Sequence, residues 1–177
     1  CMGEIFLPTV QAMAQEGSPF RGCLYFGLML TPAGPKVIEY NCRFGDPETQ
    51  VVLPLLESDL VEIMLATRSG TLTQTPVVWK QGAAACVVLA SGGYPGSYPV
   101  GLAIEGLEDS GQVAGSDAVV YHAGTRKADS QLVTAGGRVM GVTAVGDSLD
   151  DALQSAYKAA GSISFPGMHY RGDIGRY

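Results

Sequence analysis

Glycine and proline cut this chain into short apolar runs, and that punctuation limits what it can fold into. Of 177 residues, 24 are glycine and 10 are proline, well above an average share. They recur without a three-residue period, which excludes a collagen-like helix. The longest apolar run, Ala83 to Ala90, is one strand long and far short of the ~18–20 residues that span a bilayer. A hydrophobic share of 46% with only 16% charged residues excludes a disordered chain. The net charge of −6 excludes a strong nucleic-acid binder, because phosphate neutralisation needs clustered Lys and Arg. The start, Cys1-Met2-Gly3-Glu4, lacks the basic residues and long apolar stretch of a signal peptide. The expectation is a soluble, cytoplasmic protein with neither nucleic-acid nor membrane partners.

Cysteine usage agrees with that compartment. Cys1, Cys23, Cys42 and Cys86 form no C-x-x-C pair, and only His122 and His169 could complete a zinc site. A structural zinc is not expected. Three of the four sit in apolar stretches and read as reduced thiols.

The first segment suggests a helix beginning near Pro8, where proline is tolerated in the first turn, and ending at Gly17-Ser18-Pro19. Two strand-like runs follow, Gly22 to Leu30 and Pro35 to Asn41. Thr31-Pro32-Ala33-Gly34 between them signals a hairpin. Alternation along the second strand would send Val37, Glu39, Asn41 and Arg43 to one face and Ile38, Tyr40 and Cys42 to a core-like face. Residues Gln50 to Leu56 read as too apolar to be exposed. Ser58 reads as the N-cap of a helix carrying Leu60, Ile63, Met64 and Thr67, with Asp59 in its first turn and Ser69-Gly70 as its stop.

After a connection over residues 71–82 the composition shifts to short strands: Ala84 to Ala90, Ala118 to His122, Leu132 to Ala135 and Arg138 to Val145. A last helix starts at Ser148, with Asp151 completing a capping pair and an apolar stripe of Leu149, Ala152, Leu153, Ala156 and Ala160. Arg126 and Lys127 read as a solvated turn, His122 as a strand-end histidine, and the tail from Phe165 carries no clear pattern.

Glu39-x-Asn41 carries the first chemistry. Two residues apart on one strand face, the side chains start ~6.6–7 Å apart and can converge on one cation. Mg²⁺ takes a few hard oxygen ligands and keeps water or phosphate in its other positions. A lone E-x-N reads first as a solvated strand face. Arg43 to Glu48, RFGDPE, adds to it. Arg43 could grip a carboxylate with two hydrogen bonds or steady an anionic intermediate, Gly45 permits close backbone approach, and Asp46 and Glu48 could hold an ammonium group. An Arg–Asp pair that only organises a turn accounts for the same run. Arg138, after Gly136-Gly137, suits a phosphate or equally a solvated hairpin.

Taken together, Glu39 to Gln50, EYNCRFGDPETQ, resembles the signature of the glycinamide ribonucleotide synthetases, or phosphoribosylamine–glycine ligases, of the ATP-grasp superfamily. Tyr25 to Met29, the Gly93-Tyr94-Pro95-Gly96-Ser97-Tyr98 loop, His122 to Thr125, Gly136 to Thr143 and Tyr170 to Gly175 are also similar to that family. The resemblance spans nearly the whole chain but only the C-terminal part of the family's length. It implies an α+β fold: the C-terminal part of an ATP-grasp core over residues 1–75, then a small β-rich domain over 83–177.

The resemblance also implies a reaction. Glycine would be phosphorylated by ATP, and the amine of 5-phosphoribosylamine would attack the acyl phosphate, giving glycinamide ribonucleotide in purine biosynthesis. Glu39 and Asn41 would ligate Mg²⁺ or Mn²⁺ on the ATP phosphates. Arg43, Gly45 and Asp46 would hold glycine, with Arg43 steadying charge as the carboxylate reacts, and Arg138 would meet the ribose phosphate. Two departures from the wider superfamily stand out. Many ATP-grasp enzymes place another acidic ligand about a dozen residues before E-x-N, where this chain has Tyr25, Phe26 and Gly27. The family's N-terminal domain and glycine-rich, lysine-bearing lid have no counterpart here, so the expectation is a piece of a longer enzyme, inactive alone and with apolar surface exposed. Another ATP-grasp ligase and a non-catalytic module with the same fold are the rival readings.

Overall fold

The computed structural model describes residues 1–176, and its chain divides into two compact units, Cys1–Asp46 with Leu56–Trp79, and Pro47–Leu55 with Lys80 onward. The mixture of helices and antiparallel sheets gives an α+β fold.

The first unit opens with a π-helical turn, Met2–Phe6, that runs into helix α1, Leu7–Gln15. Pro8 lies in the first turn of α1, directly after the π-helical turn. Strands β1, Tyr25–Thr31, and β2, Gly34–Asn41, form an antiparallel hairpin. Its two-residue loop is held locally: the Thr31 hydroxyl donates to the Gly34 carbonyl at 2.7 Å and accepts from the Ala33 N–H at 3.2 Å. Gly34 takes a φ of +92°, which a side chain would resist.

Helix α3, Leu60–Ser69, ends on Gly70 in the left-handed conformation, as its Ser-Gly stop implied. Its N-cap differs from expectation. Asp59 caps it, accepting from the N–H groups of Val61 and Glu62. Ser58 instead donates to the Pro76 carbonyl and accepts from the Val78 N–H at 2.7 Å. A tertiary partner some twenty residues away thus captured the hydroxyl.

The second unit carries the core. Short helix α2, Thr49–Val52, belongs to it. Strands β3, Ala83–Ala90, β4, Val119–His122, and β7, Arg138–Gly146, form a sheet in the order β3-β7-β4. Strand β7 is central, and its residues from Val139 to Ala144 are buried. Helix α4, Leu149–Ala160, packs on β3 and β7 through Ala152, Ala156, Ala159 and Ala160, all essentially inaccessible. Alanine on this face lets the helix approach Val87, Leu89 and Val142 closely. Ser148 caps α4 by accepting from the Asp151 N–H at 3.2 Å, as its sequence suggested.

A separate ribbon pairs β5, Thr125–Ala128, with β6, Gln131–Thr134. Arg126 and Lys127 are therefore strand residues and not a turn. Asp129, at φ +53°, makes the two-residue loop. The tail is also tied down. The Tyr157 hydroxyl donates to the Arg171 carbonyl at 2.8 Å and accepts from the Ile174 N–H at 3.1 Å. Arg171 forms a two-pronged pair with Asp173, and its hydrogen bonds hold the Asp173 carboxyl below the usual carboxylate range.

Burial differs between the units. Residues 50–56 are half-buried, as a segment too apolar to be exposed would be, except Val52, which is exposed. On the hairpin, Ile38 is 62% and Tyr40 51% exposed, so the expected core-like face is only partly covered. Phe26 packs between Phe6 and Tyr40, at ring separations of 4.5 and 5.2 Å, and that is the cover this face has.

The capping assignment leads to a direct check. Asp59→Ala should destabilise the first unit by about 1 kcal/mol through loss of the cap, and fray the first turn of α3 in amide exchange. Ser58→Ala should loosen residues 76–78 and leave α3 protected. Fraying of α3 in the Ser58 variant alone would reverse the assignment.

Candidate active site

Hairpin register decides which side chains meet. Gly27 pairs with Glu39 and Tyr25 with Asn41, while Leu28 pairs with Val37. The pairing therefore skips Ile38, a bulge that breaks the simple alternation between Val37 and Glu39. Beyond the bulge the pleat is regular. Glu39 and Asn41 share a face, with the Asn41 Nδ2 donating to Glu39 Oε1 at 3.2 Å. Glu39 is exposed and Asn41 half-buried.

That pair fits a hard cation. Turning the Asn41 amide about its last torsion exchanges nitrogen for oxygen, and one carboxylate and one amide oxygen then converge. Among the described residues no group of three or more His, Cys, Asp or Glu side chains could hold a metal. Glu39 and Asn41 would thus supply two oxygens, leaving the rest of the shell to phosphate and water, the manner in which Mg²⁺ is commonly held.

Arg43 lies past the end of β2, so it does not continue the strand face as alternation implied. Its Nη1 donates to the Phe44 carbonyl at 2.9 Å, which fixes the turn. Arg43 also lines a cleft of about 1150 Å³ with Arg21, Phe44, Leu60, Ile63 and Met64. Arg21 crosses to the Arg68 carbonyl at 2.9 Å. The cleft walls are mostly apolar and include three arginines, Arg21, Arg43 and Arg68, a residue type that can pair with a carboxylate. Cys23 also lines it, and burial pushes its thiol pKa up, which disfavours the nucleophilic thiolate. Gly45 is buried and Asp46 exposed, both in the turn that follows Arg43.

Arg138 belongs to the second unit. It is half-buried, opens β7 and pairs with Ala90 where β3 slips register. A bonded frame surrounds its root. Buried Ser91 donates through its N–H to the Gly137 carbonyl and through its hydroxyl to the Gly136 carbonyl, both at 2.8 Å. Tyr94 and Tyr98, 6.1 Å apart, both lie against the Cα of Gly137. The 91–98 loop is thus seated on the strand carrying Arg138. Sequence reasoning noted the loop's tyrosines but not Ser91, whose signal was a hydroxyl at the end of an otherwise apolar strand.

His122 is not free to act. Its Nε2 lies 3.0 Å from the Gly111 carbonyl and its Nδ1 3.1 Å from the Thr125 hydroxyl. The carbonyl can only accept, so Nε2 carries the proton and Nδ1 takes the hydroxyl's. Both nitrogens hold loops together, in keeping with the strand-end reading.

The model of the phosphoribosylglycinamide synthetase C domain matches residues 84–177, and that of the ATP-grasp (A) domain of the same synthetase matches residues 1–49. The chain belongs to the phosphoribosylglycinamide synthetase family. It is 50% identical to the phosphoribosylamine–glycine ligase of Caldanaerobacter subterraneus over 171 residues, covering 97% of this chain and 40% of that protein. It is 51% identical over 168 residues to a trifunctional purine biosynthetic protein, adenosine-3, of Gallus gallus, covering 94% of this chain and 16% of that protein. Among solved structures, the phosphoribosylamine–glycine ligase of Thermotoga maritima superposes with a TM-score of 0.81 at 36% identity, over 96% of this chain and 41% of that one. The urea carboxylase of Kluyveromyces lactis shares the fold alone, with a TM-score of 0.59 at 15% identity. The chain therefore spans about 40% of the length of the phosphoribosylamine–glycine ligases it matches. No helix among the described residues is long and apolar enough to cross a membrane.

The tyrosine seat gives the second test. Gly137 has an ordinary backbone conformation, so its smallness matters for sterics alone: a Cβ there would enter the Tyr94 ring and stand 3.0 Å from Tyr98 Cε1. Gly137→Ala should cost about 1–3 kcal/mol by overpacking, read by urea denaturation, and change the near-ultraviolet tyrosine dichroism. An unchanged spectrum and midpoint would unseat the loop from the strand.

Proposed function

We propose that the chain is the C-terminal part of an ATP-dependent ligase that joins glycine to 5-phosphoribosylamine through a glycyl phosphate. The observation carrying this reading is the pairing of Glu39 with Asn41, close in sequence to Arg43, which with Arg21 lines a largely apolar cleft, in a chain of this family. Residues 1–75 are read as the ATP-grasp part and 83–177 as the β-rich domain. The protein is read as cytoplasmic, with ATP, glycine and the phosphoribosylamine as its small-molecule substrates and the N-terminal remainder of the ligase as its covalent partner.

Each residue then has a role. Glu39 and Asn41 hold Mg²⁺ or Mn²⁺, which when bound neutralises charge on the ATP phosphates. Arg43, already fixed at one nitrogen by the Phe44 carbonyl, offers its fork to the glycine carboxylate and steadies the charge that builds as phosphate transfers. Gly45 lets the substrate approach the backbone, and Asp46 takes the glycine ammonium. Arg138, on the rigid strand start framed by Ser91 and the tyrosines, binds the ribose phosphate. Bottom-up chemistry and family agree on a cation and an anion handled by neighbouring residues, which favours this ligase over a non-catalytic module.

The test is phosphate release from ATP by a full-length phosphoribosylamine–glycine ligase carrying this segment. Glu39→Gln with Asn41→Ala should abolish metal-dependent ADP formation while the circular dichroism stays unchanged. Unaltered metal dependence would remove the pair from the site.

Arg43→Lys separates the roles open to that arginine. A lysine still carries charge but not the planar fork. The expected loss in kcat/KM for glycine corresponds to ~2–4 kcal/mol, the scale of one oriented donor. Near wild-type kinetics would make Arg43 a turn organiser only.

A further inference from the structure

We propose that Gly27 is a positioning residue for the metal-binding carboxylate. It gives the Glu39 side chain the room to lie across β1 and bring its oxygens beside Asn41. The proposal deepens the metal reading of Glu39 and Asn41 and rests on it.

Three observations carry it. Gly27 sits directly opposite Glu39 in the hairpin, at the pair next to the bulge. A Cβ at Gly27 would stand 2.8 Å from Glu39 Cγ, 3.6 Å from its Oε1 and 3.7 Å from its Cδ, so any side chain there displaces Glu39. Gly27 is not among the glycines with positive φ. Backbone strain therefore does not explain the glycine, and the space above its Cα does.

The contact is with one flexible side chain, not with backbone. An alanine would leave the strand pairing in place and move Glu39 instead. Glu39 is exposed and would swing outward at little cost to folding. What would be lost is its approach to Asn41, now 3.2 Å between Oε1 and Nδ2. A metal held by only two protein oxygens is sensitive to such a displacement, since neither ligand alone gives more than a single weak bond. The bulge at Ile38 serves the same end. It increases local twist and re-aims the side chains on either side, and it falls between Val37 and the Glu39/Asn41 pair.

The experiment uses the isotopically labelled 177-residue chain and Mn²⁺ alone. Manganese broadens the nuclear resonances of residues near it, so weak binding by two oxygens is still read locally. In the unaltered chain, Gly27, Glu39 and Asn41 should broaden before the rest, and the Gly27 Hα should show a cross-peak to the Glu39 Hγ protons. Gly27→Ala should keep the Tyr25–Asn41 cross-strand contacts yet need roughly tenfold more Mn²⁺ for the same broadening, the scale expected when a group that orients a ligand is changed.

Each contrary result has its own meaning. Equal broadening of both chains overturns the role of Gly27 and leaves the metal pair standing. No local broadening in the unaltered chain overturns the metal reading, and this inference with it. Absence of the Gly27–Glu39 cross-peak, or loss of the hairpin in Gly27→Ala, would also overturn the proposal, the latter because Gly27 would then be a folding residue.

Discussion

The hairpin register is the constraint from which the site follows. Side chains on a strand alternate, so a slip of one residue would exchange the faces of Glu39 and Tyr40. Two features prevent it. The Pro32–Ala33 loop is closed by Thr31 and by Gly34 at positive φ, which fixes the near end. Phe26 between Phe6 and Tyr40 fixes the far end, because only one register puts Phe26 opposite Tyr40. The aromatic contacts on one face thus hold Glu39 and Asn41 on the other, with the Ile38 bulge as the single irregularity between the fixed ends.

The second unit solves a different problem, which is to hold an arginine at a strand start without burying it. Strand β7 is the most deeply buried strand, yet its first residue is half-exposed. The Ser91 bonds to Gly136 and Gly137 extend the sheet's bonding past the end of β3. Nearby, small residues permit close layers: the α4 alanines against the sheet, Gly137 under the tyrosines, and Gly124 against Gly136. The high glycine count is thus partly a packing device. Gly34 and Gly70 serve turns, but Gly27, Gly136 and Gly137 serve contact.

Much of this was legible in the sequence, where local chemistry decided the outcome. The hairpin, the α3 stop at Gly70 and the Ser148 cap all come from short-range signals that nothing distant overrides, while the α+β class followed from the family resemblance. The Glu39-x-Asn41 face was legible because the pleat is regular just there. The misses have different physical causes. Ser58 was drawn off by residues 76 and 78. Arg126 and Lys127 looked like a solvated turn because their charge masked a short ribbon, although the Asp129–Ser130 pair is a two-residue loop that tolerates left-handed backbone. Arg43 fell outside its strand because pairing stops at Asn41, a limit that alternation cannot reveal. The close approach of Glu39 to Gly27 was invisible because it depends on a cross-strand neighbour twelve positions away.

Hydrophobic pattern proved a poor guide to burial in the first unit, and the reason bears on how its residues work. Periodicity shows which face of an element is apolar, not what covers it. In the second unit, the apolar faces of β3, β7 and α4 meet each other and disappear from solvent. In the first, Leu30, Ile38, Val61 and Leu65 each remain more than 60% exposed, and helix α3 is less clearly amphipathic than α4. Isolated apolar residues at a surface are ordinary, whereas a contiguous apolar patch calls for a partner. The chain spans about 40% of the length of its phosphoribosylamine–glycine ligase relatives. On the proposed reading, two oxygens from Glu39 and Asn41 would be too few to hold a cation tightly, which would suit a nucleotide phosphate that completes the shell. A closed protein cage would bind the metal more firmly and leave no ligand position for the substrate.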